Sequence, residues 1–157
     1  MPDDEFYTFG EYIRKAQGCL SPSAEDYMEM IYRLSLDKGF TRTNDLASAL
    51  NVQPPSVTKM VQRLAELKLI KYEKYGVIIL EDAGNELGKV LLNRHNTIER
   101  FISFLNIKDD VLEKTEKMEH TISEDVLKGI EELLKFFSDK PELLKEFDEY
   151  RNVIKNG

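Results

Sequence analysis

The chain has 157 residues, with 22 Lys+Arg against 29 Asp+Glu and a formal net charge of −7, a length that holds one domain or two small ones. Hydrophobic residues at 41% and charged residues at 32% suit a folded chain with a solvated surface, not a disordered one. No apolar run reaches the length of a membrane span, the acidic start MPDDEFYTFGEY lacks the layout of a secretion signal, and the single Cys19 excludes an internal disulfide framework and fits a reducing cytoplasm.

Residues 1–20 form an N-terminal extension. In 22–38, Tyr27, Met30, Ile31 and Leu34 recur near a 3.6 period and predict an amphipathic helix. Ser21 is its expected N-cap, Pro22 its first residue and Gly39 its stop. Asp26 and Glu29 stand three residues apart on this helix. A short helix follows over 43–50, burying Leu46, Ala47 and Leu50. Asn51-Val52-Gln53 then breaks the chain, and Pro54 and Pro55 can only open a helix. The next helix, expected from Ser56 to Leu67, would bury Val57, Met60, Val61 and Leu64. Two short helices joined by a tight turn make a helix-turn-helix. After it, Leu69–Glu73 alternates like a strand, Lys74-Tyr75-Gly76 can turn, and Val77–Leu80 is apolar and largely β-branched. A hairpin in that place completes a winged helix spanning 21–80.

Charge location reverses what net charge implies. An acidic chain argues against nucleic acid, yet residues 41–75 hold 6 basic side chains (Arg42, Lys59, Arg63, Lys68, Lys71 and Lys74) against 3 acidic ones. The start of the second helix of a helix-turn-helix meets base edges in the major groove. Gln53, Pro55, Ser56 and Thr58 occupy that start, with Gln53, Ser56 and Thr58 able to hydrogen-bond. Arg42, Lys59, Arg63, Lys74 and Tyr75 are placed for the phosphate backbone. Double-stranded DNA is the expected partner. A protein-interaction winged helix is the alternative.

From Glu81 the pattern is helical through about Leu105, then over 109–120, from the cap Ser123 to Phe137, and from Pro141 to about Ile154. The fold class is therefore mainly α: an N-terminal winged helix-turn-helix followed by an all-helical domain over 81–157. Leu127, Ile130, Leu133, Leu134, Phe136 and Phe137 are numerous for so small a core and suggest a homodimer interface. In Glu116-Lys117-Met118-Glu119-His120, two carboxylates and an imidazole share one helical face. Like charges at that spacing repel unless a cation lies between them. His95 has Glu99 at i+4, and Asp26 with Glu29 forms another carboxylate pair. Any single pair also reads as a solvated acidic face. Carboxylates with imidazole and no thiolate suit Mn²⁺ or Fe²⁺.

The segments SPSAEDYMEMIY (21–32), VQPPSVTKMVQRL (52–64) followed by IKYEKYG, the RH at 94–95 and EKMEH (116–120) occur here in one order. Together they resemble the manganese-responsive, MntR-like branch of the diphtheria-toxin-repressor-like (DtxR) metalloregulators, over roughly residues 20–150. The resemblance implies a cytoplasmic homodimeric repressor that binds a palindromic operator and controls manganese-uptake genes. It implies a metal site of two Mn²⁺ per subunit held by Asp26, Glu29, His95, Glu116, Glu119 and His120, with Fe²⁺ as the alternative ion. Carboxylates stand here where the iron-responsive branch has a methionine, at Asp26, and a cysteine, at Glu116. The resemblance implies neither an enzyme, nor a small organic substrate, nor a membrane partner. The competing readings are an iron-responsive regulator of the same family, a binuclear metallohydrolase, and a regulator answering to a small organic effector. The chain departs from the family pattern in its first 20 residues, in a short wing turn with no arginine after Tyr75, and in the acidic stretch 81–86. It also ends before the SH3-like third domain of longer members.

Overall fold

The computed structural model describes residues 14, 15 and 17–157; most of the N-terminal extension lies outside them. Helix α1 (Pro22–Ser35) begins as its sequence dictates: the Ser21 hydroxyl accepts from the Ala24 N–H at 3.2 Å, and Pro22 stands at the first turn, where its missing N–H costs nothing. It ends a turn earlier than the periodicity suggests. The N–H of Gly39, at φ 79°, donates to the Ser35 carbonyl at 2.8 Å. Strand β1 (Thr41–Arg42) leads into α2 (Thr43–Leu50), which closes on Asn51 in the left-handed region. Helix α3 (Pro54–Glu66) starts at the double proline rather than after it, because proline's fixed φ suits the first helical positions. Strands β2 (Ile70–Tyr72) and β3 (Val77–Leu80) flank a 3-10 turn at Lys74–Gly76.

The sheet has the order β1-β3-β2, antiparallel throughout, with Thr41 opposite Ile78 and Tyr72 opposite the same Ile78 on the other side. Met28, Ile31, Leu46, Val57, Val61, Leu64, Leu69 and Ile78 are fully shielded and fill the space between α1, the helix-turn-helix and the hairpin. The first turns of α4 (Asp82–Phe104) join this core through Leu87 and Leu91, so the compact unit closes at Asn93, inside α4. Two glycines permit that docking. A Cβ on Gly84 would stand 1.8 Å from the Leu69 carbonyl oxygen, and one on Gly88 would stand 2.5 Å from the Tyr32 Cβ. Val90, between Leu87 and Leu91 on α4, is exposed.

The second compact unit starts at Arg94 and holds the rest of α4 with α5 (Val111–Glu119), α6 (Glu124–Asp139) and α7 (Pro141–Asn156). Phe104, Phe137 and Phe147 form an aromatic cluster with centroids 5.2 to 5.7 Å apart. Arg151 lies 4.7 Å over the Phe147 ring and donates from Nη1 to the Phe104 carbonyl at 2.6 Å, tying α7 to the end of α4. Ser123 precedes α6 as expected but its side chain does not cap it; the hydroxyl pairs with the Asp125 carboxylate instead. The six apolar positions of α6 divide: Ile130 and Leu134 are buried, Leu127 and Phe137 half-buried, Leu133 and Phe136 exposed.

Candidate metal centre and nucleic-acid interface

The start of α3 offers no backbone donor to a ligand. Pro54 and Pro55 have no N–H, and the N–H groups of Ser56 and Val57 donate to the Gln53 carbonyl at 3.0 and 3.4 Å. Contacts at this end are therefore made by side chains, and Gln53, Pro55, Ser56, Lys59 and Arg63 are all exposed while Val57 and Val61 anchor the opposite face. Thr58 is half-buried and its hydroxyl donates to the Pro54 carbonyl at 3.3 Å. Its lone pairs and methyl group remain to face a base, which narrows the hydrogen-bonding role expected of it. Arg42 is exposed at the entry to α2. On the wing, Lys74 is exposed and Tyr75 is 89% exposed, its backbone in the left-handed region at φ 63°. Gly76 follows at φ 73°, and a Cβ there would meet the Thr43 hydroxyl at 2.5 Å. The short turn is thus drawn tight against the start of α2, presenting the Tyr75 ring outward.

In the second unit, α4 and α5 bring two histidines to one carboxylate. His95 Nδ1 lies 2.9 Å from Glu119 Oε2, and His120 Nε2 lies 3.5 Å from Glu119 Oε1. The other ring nitrogen of His95 faces Glu99 Oε2 at 3.4 Å, and His120 Nδ1 is 3.3 Å from the Arg94 guanidinium. Arginine can only donate, so His120 Nδ1 is the acceptor of that contact. Glu119 is 3% exposed and His95 is also buried. Glu116, one turn before Glu119, is exposed. On α1, in the first unit, Asp26 and Glu29 are both half-buried, and Glu29 Oε2 accepts from Arg33 Nη2 at 3.3 Å.

A carboxylate withdrawn from water needs compensating positive charge or donors. Imidazoles at both Glu119 oxygens, with further carboxylates close by, make a nitrogen-and-oxygen donor set that fits a divalent ion of intermediate hardness. Glu99, at i+4 from His95 in the sequence, has its carboxylate directly at the ring.

A winged helix with a basic reading face, followed by a helical unit with a carboxylate–imidazole cluster, defines a metal-responsive transcriptional regulator rather than an enzyme. The family model "Iron dependent repressor, N-terminal DNA binding domain" matches residues 19–78, and "Iron dependent repressor, metal binding and dimerisation domain" matches 81–148. The chain belongs to this iron-dependent repressor (DtxR) family. The HTH-type transcriptional regulator MntR of Shouchella clausii (strain KSM-K16) is 39% identical over 138 residues, covering 87% of this chain and 94% of the relative. That of Listeria innocua serovar 6a (strain ATCC BAA-680 / CLIP 11262) is 40% identical over 130 residues, 82% and 92% of the two chains. The manganese regulator SloR is similar in structure, with a TM-score of 0.65 at 28% identity, over 74% of this chain and 55% of its own. This chain thus spans about half the length of that structure. No helix among the described residues is long and apolar enough to cross a membrane.

Proposed function

We propose that this protein is a manganese-responsive repressor, acting in the cytoplasm as a homodimer on a palindromic operator that controls metal uptake. The observation that carries the reading is the buried Glu119 carboxylate held between His95 and His120. The ligand set is Asp26, Glu29, His95, Glu116, Glu119 and His120, sufficient for two Mn²⁺ per subunit, with Glu99 supporting His95. A bound divalent ion supplies the positive charge that these carboxylates lack among themselves. Without it, mutual repulsion among Asp26, Glu29, Glu116 and Glu119 opposes the form of the protein that binds the operator. With the carboxylates neutralised, the two reading heads of the dimer are held at the spacing of two half-sites. Gln53, Pro55, Ser56 and Thr58 then face base edges, while Arg42, Lys59, Arg63, Lys74 and Tyr75 face the backbone. The absence of a thiolate from the donor set and the similarity to manganese regulators favour Mn²⁺ over Fe²⁺.

Fluorescence anisotropy on a palindromic duplex, with Mn²⁺ or with excess chelator, tests the reading. Mn²⁺ should raise affinity at least about tenfold, a coupling of about 1.4 kcal/mol, and replacing both Glu116 and Glu119 by Ala should abolish the rise. Equal binding in chelator would overturn it.

A further inference from the structure

The two histidines of the α4–α5 cluster differ in what their rings face. His95 has a carboxylate oxygen at each nitrogen, Glu119 Oε2 at 2.9 Å from Nδ1 and Glu99 Oε2 at 3.4 Å from Nε2. Whichever nitrogen of His95 ligates an ion, the other can donate its N–H to a carboxylate, the usual support of a metal-bound imidazole. His120 is supported the other way round. Its Nδ1 lies 3.3 Å from Arg94 Nη2, a group that only donates, so the lone pair of that nitrogen is engaged by the guanidinium. An imidazole that accepts at one nitrogen is neutral and has no second lone pair on the other. The ring proton of His120 therefore sits on Nε2, the nitrogen 3.5 Å from Glu119 Oε1. Neither nitrogen of this ring then has an electron pair to give to an ion.

Arg94 is also no surface cation. It is 7% exposed, arginine is a permanent positive charge, and a charge so withdrawn from water is kept where hydrogen bonds and opposite charge compensate it. Guanidinium to Nδ1 and Nε2 to Oε1 make a chain of contacts from Arg94 through His120 to the buried Glu119 carboxylate. We infer that Arg94 is the built-in competitor of the metal: the guanidinium and an ion exclude one another at His120, and Arg94 sets the concentration at which the ion wins. The inference rests on the proposed ligand set, of which His120 is a member. Ligation by Nδ1 takes the acceptor away from Arg94. Ligation by Nε2 moves the ring proton to Nδ1, where it meets the arginine N–H head on. Either way the Arg94–His120 hydrogen bond is lost, and the apparent affinity is the intrinsic one reduced by the fraction of molecules in which His120 is released. Repulsion between guanidinium and ion acts in the same direction.

Mn²⁺ titration of the full chain, followed by electron paramagnetic resonance of the free ion, compares the wild type with Arg94→Met. Methionine is long and apolar but carries neither the charge nor the donors. Arg94→Met should bind Mn²⁺ at least about tenfold more tightly, a gain that mere damage to the fold does not produce. Equal or weaker binding by a folded Arg94→Met would overturn the competitor and make Arg94 a support of the site. A second measurement needs no variant. In excess chelator, the imidazole ¹⁵N signals of wild-type His120 should show the proton on Nε2 and a bare Nδ1, and diamagnetic Zn²⁺ should abolish that pattern. A proton on Nδ1 in chelator would overturn the Arg94 contact. A wild type that binds no Mn²⁺ would overturn the ligand set itself and the competitor with it, whereas normal Mn²⁺ binding by the wild type with no gain in Arg94→Met would overturn the competitor alone.

Discussion

His95 and Glu119 stand 24 residues apart in the chain and 2.9 Å apart in space, joining α4 to α5 through a buried imidazole–carboxylate pair. The same carboxylate reaches His120 with its other oxygen. Glu119→Gln keeps the shape but replaces one oxygen by a donor and removes the charge. We expect a folded protein whose DNA affinity no longer responds to Mn²⁺. Mn²⁺ titration followed by electron paramagnetic resonance reads the lost ion directly, and circular dichroism checks the fold. Unchanged titration would remove Glu119 from the ligand set.

Glu116 separates ligation from folding. Its side chain is exposed, and surface substitutions of this kind change stability by about 0.5 kcal/mol or less. Glu116→Ala should therefore leave the metal-free urea midpoint where it is and lower Mn²⁺ stoichiometry or affinity. A shifted midpoint with normal Mn²⁺ binding would give Glu116 a structural role instead.

These two glutamates also show where local pattern stops informing. The i, i+3 spacing puts both on one helical face, but which of them is withdrawn from water depends on α4, and His95 lies too far along the chain for any local period to pair it with Glu119. Only the family resemblance joined them. Helix α2 is the opposite case: its bounds Thr43–Leu50 follow from nearby breakers and apolar spacing. Strand β1 escaped the sequence reading because two residues carry no period, and it exists through pairing with β3. Met28, wholly buried, fell outside the stripe assigned from Tyr27, Met30, Ile31 and Leu34, because α1 is covered on more than one side.

The docking of α4 on the winged helix makes Gly84 the less replaceable of its two close-packed glycines. Against Gly84 stands the backbone oxygen of Leu69, which also accepts from the Glu81 N–H at 3.0 Å and cannot turn aside. Against Gly88 stands the Tyr32 side chain. Overpacking costs about 1–3 kcal/mol, and alanine's helical preference offsets up to about 1 kcal/mol of it. Gly84→Ala should lower the denaturant midpoint clearly, and Gly88→Ala less. The reverse order would show that the hairpin backbone yields more readily than Tyr32.

Asp125 offers a pH test away from the proposed metal ligands. Its carboxyl is held below the usual range by the Ser123 hydroxyl first and the Val126 N–H second. A depressed folded-state value contributes stability above the unfolded value and loses it as pH falls through the folded one. Ser123→Ala should raise the Asp125 value in an NMR titration, so that the carboxylate protonates earlier on acidification. An unmoved titration would make the Val126 N–H the dominant partner.

The proposed reading face gives Arg63 a phosphate contact and Gln53 a base contact. Arg63 is on the exposed side of α3 about two and a half turns beyond its start, whereas Gln53 precedes its first residue. Neutralising one phosphate contact lowers the slope of log affinity against log salt by about 1. Arg63→Gln should therefore weaken operator and unrelated duplex alike, and flatten the salt dependence. Gln53→Ala should leave the slope unchanged and reduce the preference for operator, because a lost base contact costs about 1–3 kcal/mol of discrimination. Measuring both variants against both duplexes at several salt concentrations gives four independent comparisons. If Arg63→Gln altered preference and left the slope alone, the two residues would have to exchange roles, and α3 would enter the groove further along its length.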